Sequence, residues 1–216
     1  MKSVPLTQEL FDYVERISVP DDPLCKELLE ETLRLEIPMI QISTDQARFL
    51  YLLTKMINAK YALEIGTLAG YSGIHIARGL QPGGMLTTVD INPVHSSAAA
   101  GFFAKAGLKE KVDVVTSPAL DHMRKMADEG RIFDLIFIDA DKTGYHGYYQ
   151  EALKLSHNGT VIVFDNMLKG GNVIDMSVSD PDLDAVRQMN ELLAKDERIE
   201  CMLMTIGDGM TLCVVK

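Results

Sequence analysis

Cysteine is scarce in this sequence, apolar runs are short, and positive charge is outweighed; each shortage removes a class of protein. The only cysteines are Cys25, Cys201 and Cys213. They are odd in number, far apart in the chain and without zinc-ligand spacing, which fits reduced thiols in a cytosol rather than a disulfide framework. No apolar run approaches the roughly 18 residues of a membrane span. The segment Met1 to Glu9 lacks the apolar core of a secretory signal, so a cytoplasmic protein without a membrane partner is expected. Lys and Arg number 21 against 31 Asp and Glu, a formal net charge of −10. That excess weighs against long-range attraction to nucleic acid or anionic membrane, and Arg124, Lys125 and Arg131 read as scattered solvated bases. There is no internal repeat, low-complexity tract or linker. The length of 216 residues favours one domain over 1–216, large enough to bury a real core.

Two regimes follow along the chain. Residues 1–58 read as a helical cap. Leu6, Leu10, Phe11, Val14 and Ile17 recur at helical spacing. Asp22-Pro23 starts a second helix to about Leu35, and Ser43-Thr44-Asp45-Gln46 is a capping box for a third, through about Ile57. Over 59–216 strands and helices alternate, with strands predicted at Tyr61–Ile65, Met85–Val89, Val112–Val115, Leu135–Ile138 and Thr160–Phe164. Helices fall between them, and one more follows Asp180-Pro181. Repeated βα units imply a Rossmann-like, doubly wound and mostly parallel α/β sheet. The final segment, Ile199 to Val215, turns through Gly207-Asp208-Gly209 as a β-hairpin, which predicts an antiparallel strand at one edge.

Chemistry concentrates where apolar strands stop. Ile136-Phe137-Ile138 runs into Asp139-Ala140-Asp141-Lys142, and Val161-Ile162-Val163-Phe164 runs into Asp165-Asn166. Two carboxylates and an amide at adjacent strand ends are hard oxygen donors suited to a small divalent cation such as Mg²⁺, or Mn²⁺ or Ca²⁺. Lys142 adds a candidate for proton transfer. Strand-end capping is the plainer reading of each residue alone; the set together favours a metal.

The turn Glu64-Ile65-Gly66-Thr67-Leu68-Ala69-Gly70-Tyr71-Ser72 occupies the place of a nucleotide-binding loop without the middle glycine of the dinucleotide fingerprint, which lets a pyrophosphate approach the backbone. Its absence speaks for a nucleoside ligand lacking phosphates, such as S-adenosylmethionine (SAM), and against a nicotinamide dehydrogenase. Asp90, ending the next strand, stands where an acid can hold a ribose diol.

Glu64 to Ser72, Asp139 to Lys142, Asp165-Asn166 and Ile206 to Gly209 together resemble the cation-dependent class I O-methyltransferases, the group of caffeoyl-CoA and catechol O-methyltransferases. The similarity runs from about Pro38 to the C-terminus. It implies a seven-stranded sheet, SAM held by Ile42, Glu64, Gly66, Thr67, Ser72, Asp90, Ala119 and Asp141, and a metal on Asp139, Asp165 and Asn166. Glu64 would take the methionyl ammonium, Lys142 would be the general base beside Asp139, and the chain would form a homodimer. The implied acceptor is a catechol-like phenol. A hydroxylated uridine in tRNA is the alternative within the family, and a SAM-binding protein without turnover is the alternative outside enzymes. The chain departs from the family at Ser117, at Ala47-Arg48 and at Lys169, where many relatives carry tryptophan. Lys169 is expected at the substrate entrance, with Met39 and Met167 near the pocket. Tyr145, Tyr148 and Tyr149 are expected to pack or meet a dimer partner, and all five histidines to be surface or packing residues.

Overall fold

The computed structural model describes residues 4–216. Three helices lead the described chain: α1 Gln8–Ser18, α2 Pro23–Arg34 and α3 Thr44–Met56. Each starts at a capping residue, Thr7, Asp22 and Ser43, and Gln46 closes the capping box of α3. The alternating region comprises β1 Tyr61–Ile65, α4 Tyr71–Gly79, β2 Met85–Asp90, α5 Pro93–Lys105, β3 Val112–Thr116, α6 Ala119–Asp128, β4 Phe133–Ile138, α7 Tyr145–Lys154, β5 Ser156–Phe164, α8 Pro181–Leu193, β6 Ile199–Met204 and β7 Met210–Val215. No helix among the described residues is long and apolar enough to cross a membrane.

The seven strands form one sheet in the order β3-β2-β1-β4-β5-β7-β6. Strands β1 to β5 are parallel, while β7 is antiparallel to both β5 and β6. This corrects the expected edge. The antiparallel strand is β7, inserted one position in, and the edge strand β6 runs with the parallel set. The hairpin signal marks the reversal but not which arm docks; the apolar β7 docks, with Met210 and Cys213 fully buried, while Met202 on β6 stays exposed. Strand β5 also starts earlier than predicted. Gly159, at φ +91°, lets Asn158-Gly159 bulge within the strand, and the pairing with β4 shifts register there.

Every core strand carries apolar side chains on both faces, as a sheet covered on both sides requires. Leu63, Ile65, Ile136, Ile138 and Phe164 pack toward Met123, Tyr149 and Val186 of α6, α7 and α8. Ala62, Leu135, Phe137 and Val163 pack with Leu50, Ile74 and Phe103 of α3, α4 and α5. The chain winds outward in opposite directions from β1 and β4, so their carboxyl ends form the switch point where open α/β sheets bind ligands.

Candidate active site

A cavity of about 790 Å³ opens at this switch point. Its walls come from the glycine turn after β1, the ends of β2 and β4, the start of α6, Asn166 and Lys169 after β5, and Leu28, Thr32 and Ile40–Ile42 before α3. The turn after β1 needs glycine at its first position. Gly66 has φ +101°, and a Cβ there would lie 2.2 Å from the Asp139 carbonyl oxygen. The absent side chain is what lets the ends of β1 and β4 close up.

Asp90 fastens this turn. Its Oδ2 accepts the N–H groups of Thr67 (3.2 Å) and Leu68 (2.9 Å), and its Oδ1 accepts that of Asn92 (2.8 Å). His95 stands 3.3 Å from the same carboxylate and lines the cavity, a position beyond the surface or packing role expected of the histidines. Ile42, Gly66, Thr67, Ser72, Asp90, Ala119 and Asp141 all reach the cavity wall. The Thr67 hydroxyl turns inward to Thr88 Oγ1 at 2.6 Å, leaving its backbone for the cavity.

Glu64 lies beneath the floor. It is fully buried and outside the lining; its two oxygens accept the hydroxyls of Ser72 and Thr88, each at 2.6 Å. Burial pushes its carboxyl up to about 7, against the pull of those two hydrogen bonds. The native protein therefore keeps a proton that the unfolded chain releases near 4.5. The stability from this group is complete below about 4.5 and is lost as pH rises through about 7, by about 3 kcal/mol at most. Glu64→Gln is expected to flatten that part of the decline. Urea unfolding of both proteins at about pH 5 and about pH 8 measures it; identical pH dependence would show that Glu64 is ionised throughout.

Asp139, against Gly66, lines the cavity with Lys142 and Asn166, while Asp165 lies buried outside the lining. Lys142 is buried and donates to Asp139 Oδ1 at 2.9 Å and to the Tyr145 hydroxyl at 2.8 Å. Its ion pair is thus with Asp139. Tyr145 passes the network on, donating to the Asp165 carbonyl at 2.9 Å. Asp165 is 2% exposed, and its Oδ1 accepts the Gln46 amide at 2.5 Å. Burial holds both carboxyls above the usual carboxylate range. The neighbouring Asp139 charge reinforces this for Asp165, and Lys142 only partly offsets it for Asp139. Asn166 adopts φ +55°, a conformation asparagine tolerates better than most residues, and its side chain borders the cavity.

Three residues of this site went unread in the sequence. Gln46 appeared only as the fourth member of a capping box, yet it links the start of α3 to Asp165. Gly207 packs on it: a Cβ there would come within 2.2 Å of the Gln46 side chain. Tyr145 and Tyr148 are site residues too, since Tyr148 borders the cavity and donates to Asp141 Oδ1 at 2.5 Å. Their spacing of three residues on one helical face, directly after Lys142, was the available signal. Tyr149 packs as expected, bonded to Asp196. Met39 and Met167 do not line the cavity: Met39 points outward and Met167 is fully buried in the core, while Ile40 takes the wall position. Lys169 does line it, with Nζ 3.8 Å from Asp182.

The O-methyltransferase family model matches residues 15–216. A catechol O-methyltransferase of Niastella koreensis is 40% identical over 186 residues, covering 83% of this chain and 84% of that protein. A caffeoyl-CoA O-methyltransferase of Populus trichocarpa is 35% identical, covering 98% of this chain and 90% of that protein. Among solved structures, an O-methyltransferase from Bacillus cereus in complex with SAH superposes with a TM-score of 0.90 at 37% identity, over 95% of this chain and 96% of that one. A match across nearly the whole chain, in sequence and in fold, means that this protein belongs to the SAM-dependent O-methyltransferase family that includes the catechol and caffeoyl-CoA enzymes.

Proposed function

We propose that this chain moves the SAM methyl group to a hydroxyl of a catechol-like small molecule with the help of a divalent cation. The observation that carries the reading is a pair of carboxylates beside Lys142 at the switch point: Asp139, partly buried on the cavity wall, and Asp165, buried outside the lining. Once ionised, two carboxylates and one ammonium leave the cluster with a negative excess in a desolvated place, which is costly without a compensating cation. Asp139, Asp165 and Asn166 would hold that cation with hard oxygen atoms. Among the described residues no cluster of three or more histidine, cysteine or acidic side chains offers a self-sufficient metal cage. Two carboxylates and an amide leave coordination positions for water or substrate oxygens, as Mg²⁺ sites commonly do. The bound cation would supply Lewis-acid stabilisation of a phenolate.

The chain's own residues do the rest. Asp90 would face the ribose hydroxyls from the carboxylate edge not used by the turn, while Ile91, Pro118 and Leu120 offer apolar surface to the adenine ring. Asp141 and Ser72 reach the cavity where a methionyl ammonium would sit, and Glu64 fixes the Ser72 hydroxyl from behind rather than meeting the ligand itself. In its neutral form Lys142 would accept the hydroxyl proton, and the ammonium it becomes would be held by Asp139 and Tyr145. With the acceptor oxygen and the methyl group held in line, positioning supplies much of the rate.

The deciding measurement is a turnover screen with SAM, with and without EDTA, over catechols, caffeoyl-CoA and bulk tRNA. EDTA-sensitive methylation of the small phenols supports the proposal. Methylation of tRNA alone would move the substrate to nucleic acid, against the charge of −10, and SAM binding without turnover on any acceptor would make the protein a binding module.

Lys169 bears on the choice of phenol. Its side chain is about one-quarter exposed, and Asp182 and Asp208 border the same cavity. A pair this open to water is worth about 0.2–1 kcal/mol, so Lys169→Ala is expected to lower the kcat/KM ratio of carboxylated to neutral catechols by a few-fold at most. An unchanged ratio would mean that Lys169 is spent on Asp182 and selects nothing.

A further inference from the structure

Cys201 and Cys213, distant in the sequence reading, face each other in the fold. They occupy directly opposed positions on β6 and β7. The register also fixes the kind of position. Lys216 N–H donates to the Arg198 carbonyl at 2.9 Å, and these two residues continue the pairing of Ile199 with Val215, so Arg198 and Lys216 are a hydrogen-bonded pair. Such pairs alternate along antiparallel strands. Cys201 and Cys213, three positions further in, are therefore a non-hydrogen-bonded pair, whose Cα atoms lie about 4.5 Å apart with side chains closest together. That separation falls within the range a disulfide spans. Both side chains point to the α8 face: Cys213 is fully buried among its residues, and the Cys201 thiol reaches the Leu193 carbonyl at 3.3 Å. The two thiols are close enough to influence each other.

We propose that Cys201 and Cys213 are a reversible thiol–disulfide pair, a modification site that takes a small disulfide such as oxidised glutathione as its oxidant. Their exposures divide the roles. Cys201 is exposed and Cys213 is buried, so the Cys201 thiolate attacks the oxidant first. A Cys201–glutathione mixed disulfide forms and one glutathione leaves, taking up the Cys201 proton. The Cys213 thiolate then attacks the Cys201 sulfur, the cross-strand bond forms, and a second glutathione leaves with the Cys213 proton. In sum, two thiols and one oxidised glutathione become one protein disulfide and two reduced glutathiones. Burial holds the Cys213 thiol above its ordinary range, which makes the second step the slower one. Opening of β6 gives access to it, because this edge strand pairs on one side only.

The pair sits on the hairpin whose turn reaches the cavity. Asp208 accepts the Gly170 N–H at 2.6 Å, and Met167 and Leu168 bond to the carbonyls of Gly209 and Asp208. A bond between β6 and β7 thus clips together the two strands that carry this turn.

The test equilibrates the full-length protein in glutathione redox buffers, quenches it by alkylation and maps peptides without reduction. The expected product is one intramolecular link between Cys201 and Cys213, with Cys25 unlinked, reversed by reduced glutathione. In Cys213→Ser the reaction is expected to stop at a glutathione adduct on Cys201, and in Cys201→Ser the rate of modification at Cys213 is expected to fall at least tenfold. A wild-type protein that accumulates only the Cys201 adduct, that links Cys25 instead, or that remains fully reduced under the most oxidising buffer overturns the proposal.

Discussion

Asp165→Ala is expected to lower kcat by at least about a hundredfold, a loss of about 2.7 kcal/mol of transition-state stabilisation, while SAM affinity stays within about threefold, or about 0.6 kcal/mol. Asp165 belongs to the β5 end and lies outside the cavity lining, whereas the residues proposed for SAM, apart from Glu64, line it. Removing one of two carboxylates from the proposed cation site takes away a charged donor that the remaining amide cannot replace, and Lewis-acid stabilisation is worth several kcal/mol. The variant also leaves the Gln46 amide without its 2.5 Å acceptor, so part of the loss could come from a shift of α3. Asp165→Asn separates the two effects, since it keeps an acceptor for Gln46 while removing the charge. Initial rates on a catechol, before and after EDTA and after adding Mg²⁺ back, give the activity, and calorimetry gives the SAM affinity. Chelator-resistant turnover, or full activity in Asp165→Asn, would refute a cation held by this pair.

The second large effect is expected at Lys142. Lys142→Met keeps the length of the side chain and removes its proton-accepting nitrogen, and general-base catalysis contributes about 10²–10⁴-fold. A fall in kcat of about a hundredfold or more, with KM for the acceptor little changed, is the expected result. A purely structural lysine would also be missed, because breaking a buried ion pair leaves Asp139 uncompensated. Lys142→Arg distinguishes the roles. Arginine can still donate to Asp139 but does not give up its proton in proteins. If Lys142 only braces Asp139, the arginine variant recovers most of the activity. If it accepts the phenolic proton, the arginine variant stays as slow as Lys142→Met.

The sequence by itself determined the βα alternation, the helical segments before it and the motifs at the strand ends. These are local signals. Thr7, Asp22, Ser43 and Asn92 cap helices through their own neighbours, and apolar runs such as Ile136–Ile138 announce buried strands without reference to a partner. Because parallel strands deliver their carboxyl ends to one edge, knowing that Ile65, Asp90, Ile138 and Phe164 end strands was enough to gather Gly66, Asp90, Asp139 and Asp165 in one place.

Only the tertiary structure decided which atoms those residues offer. It set Glu64 beneath the floor, because Ser72 and Thr88 approach it from two other elements. It brought Gln46 to Asp165 across 119 residues, gave Tyr145 and Tyr148, which pack in the core as expected, hydrogen bonds to Lys142 and Asp141 as well, and chose Ile40 over Met39 as wall. It also docked β7 inside β6 and set the β6–β7 register that opposes Cys201 to Cys213. The Thr88 bond to Glu64 and the Gln46 bond to Asp165 join segments far apart in the chain, where side-chain orientation is set by packing against the partner element. Periodicity and caps report a residue's secondary structure and the face it occupies; they carry no information about what waits on the other side of that face.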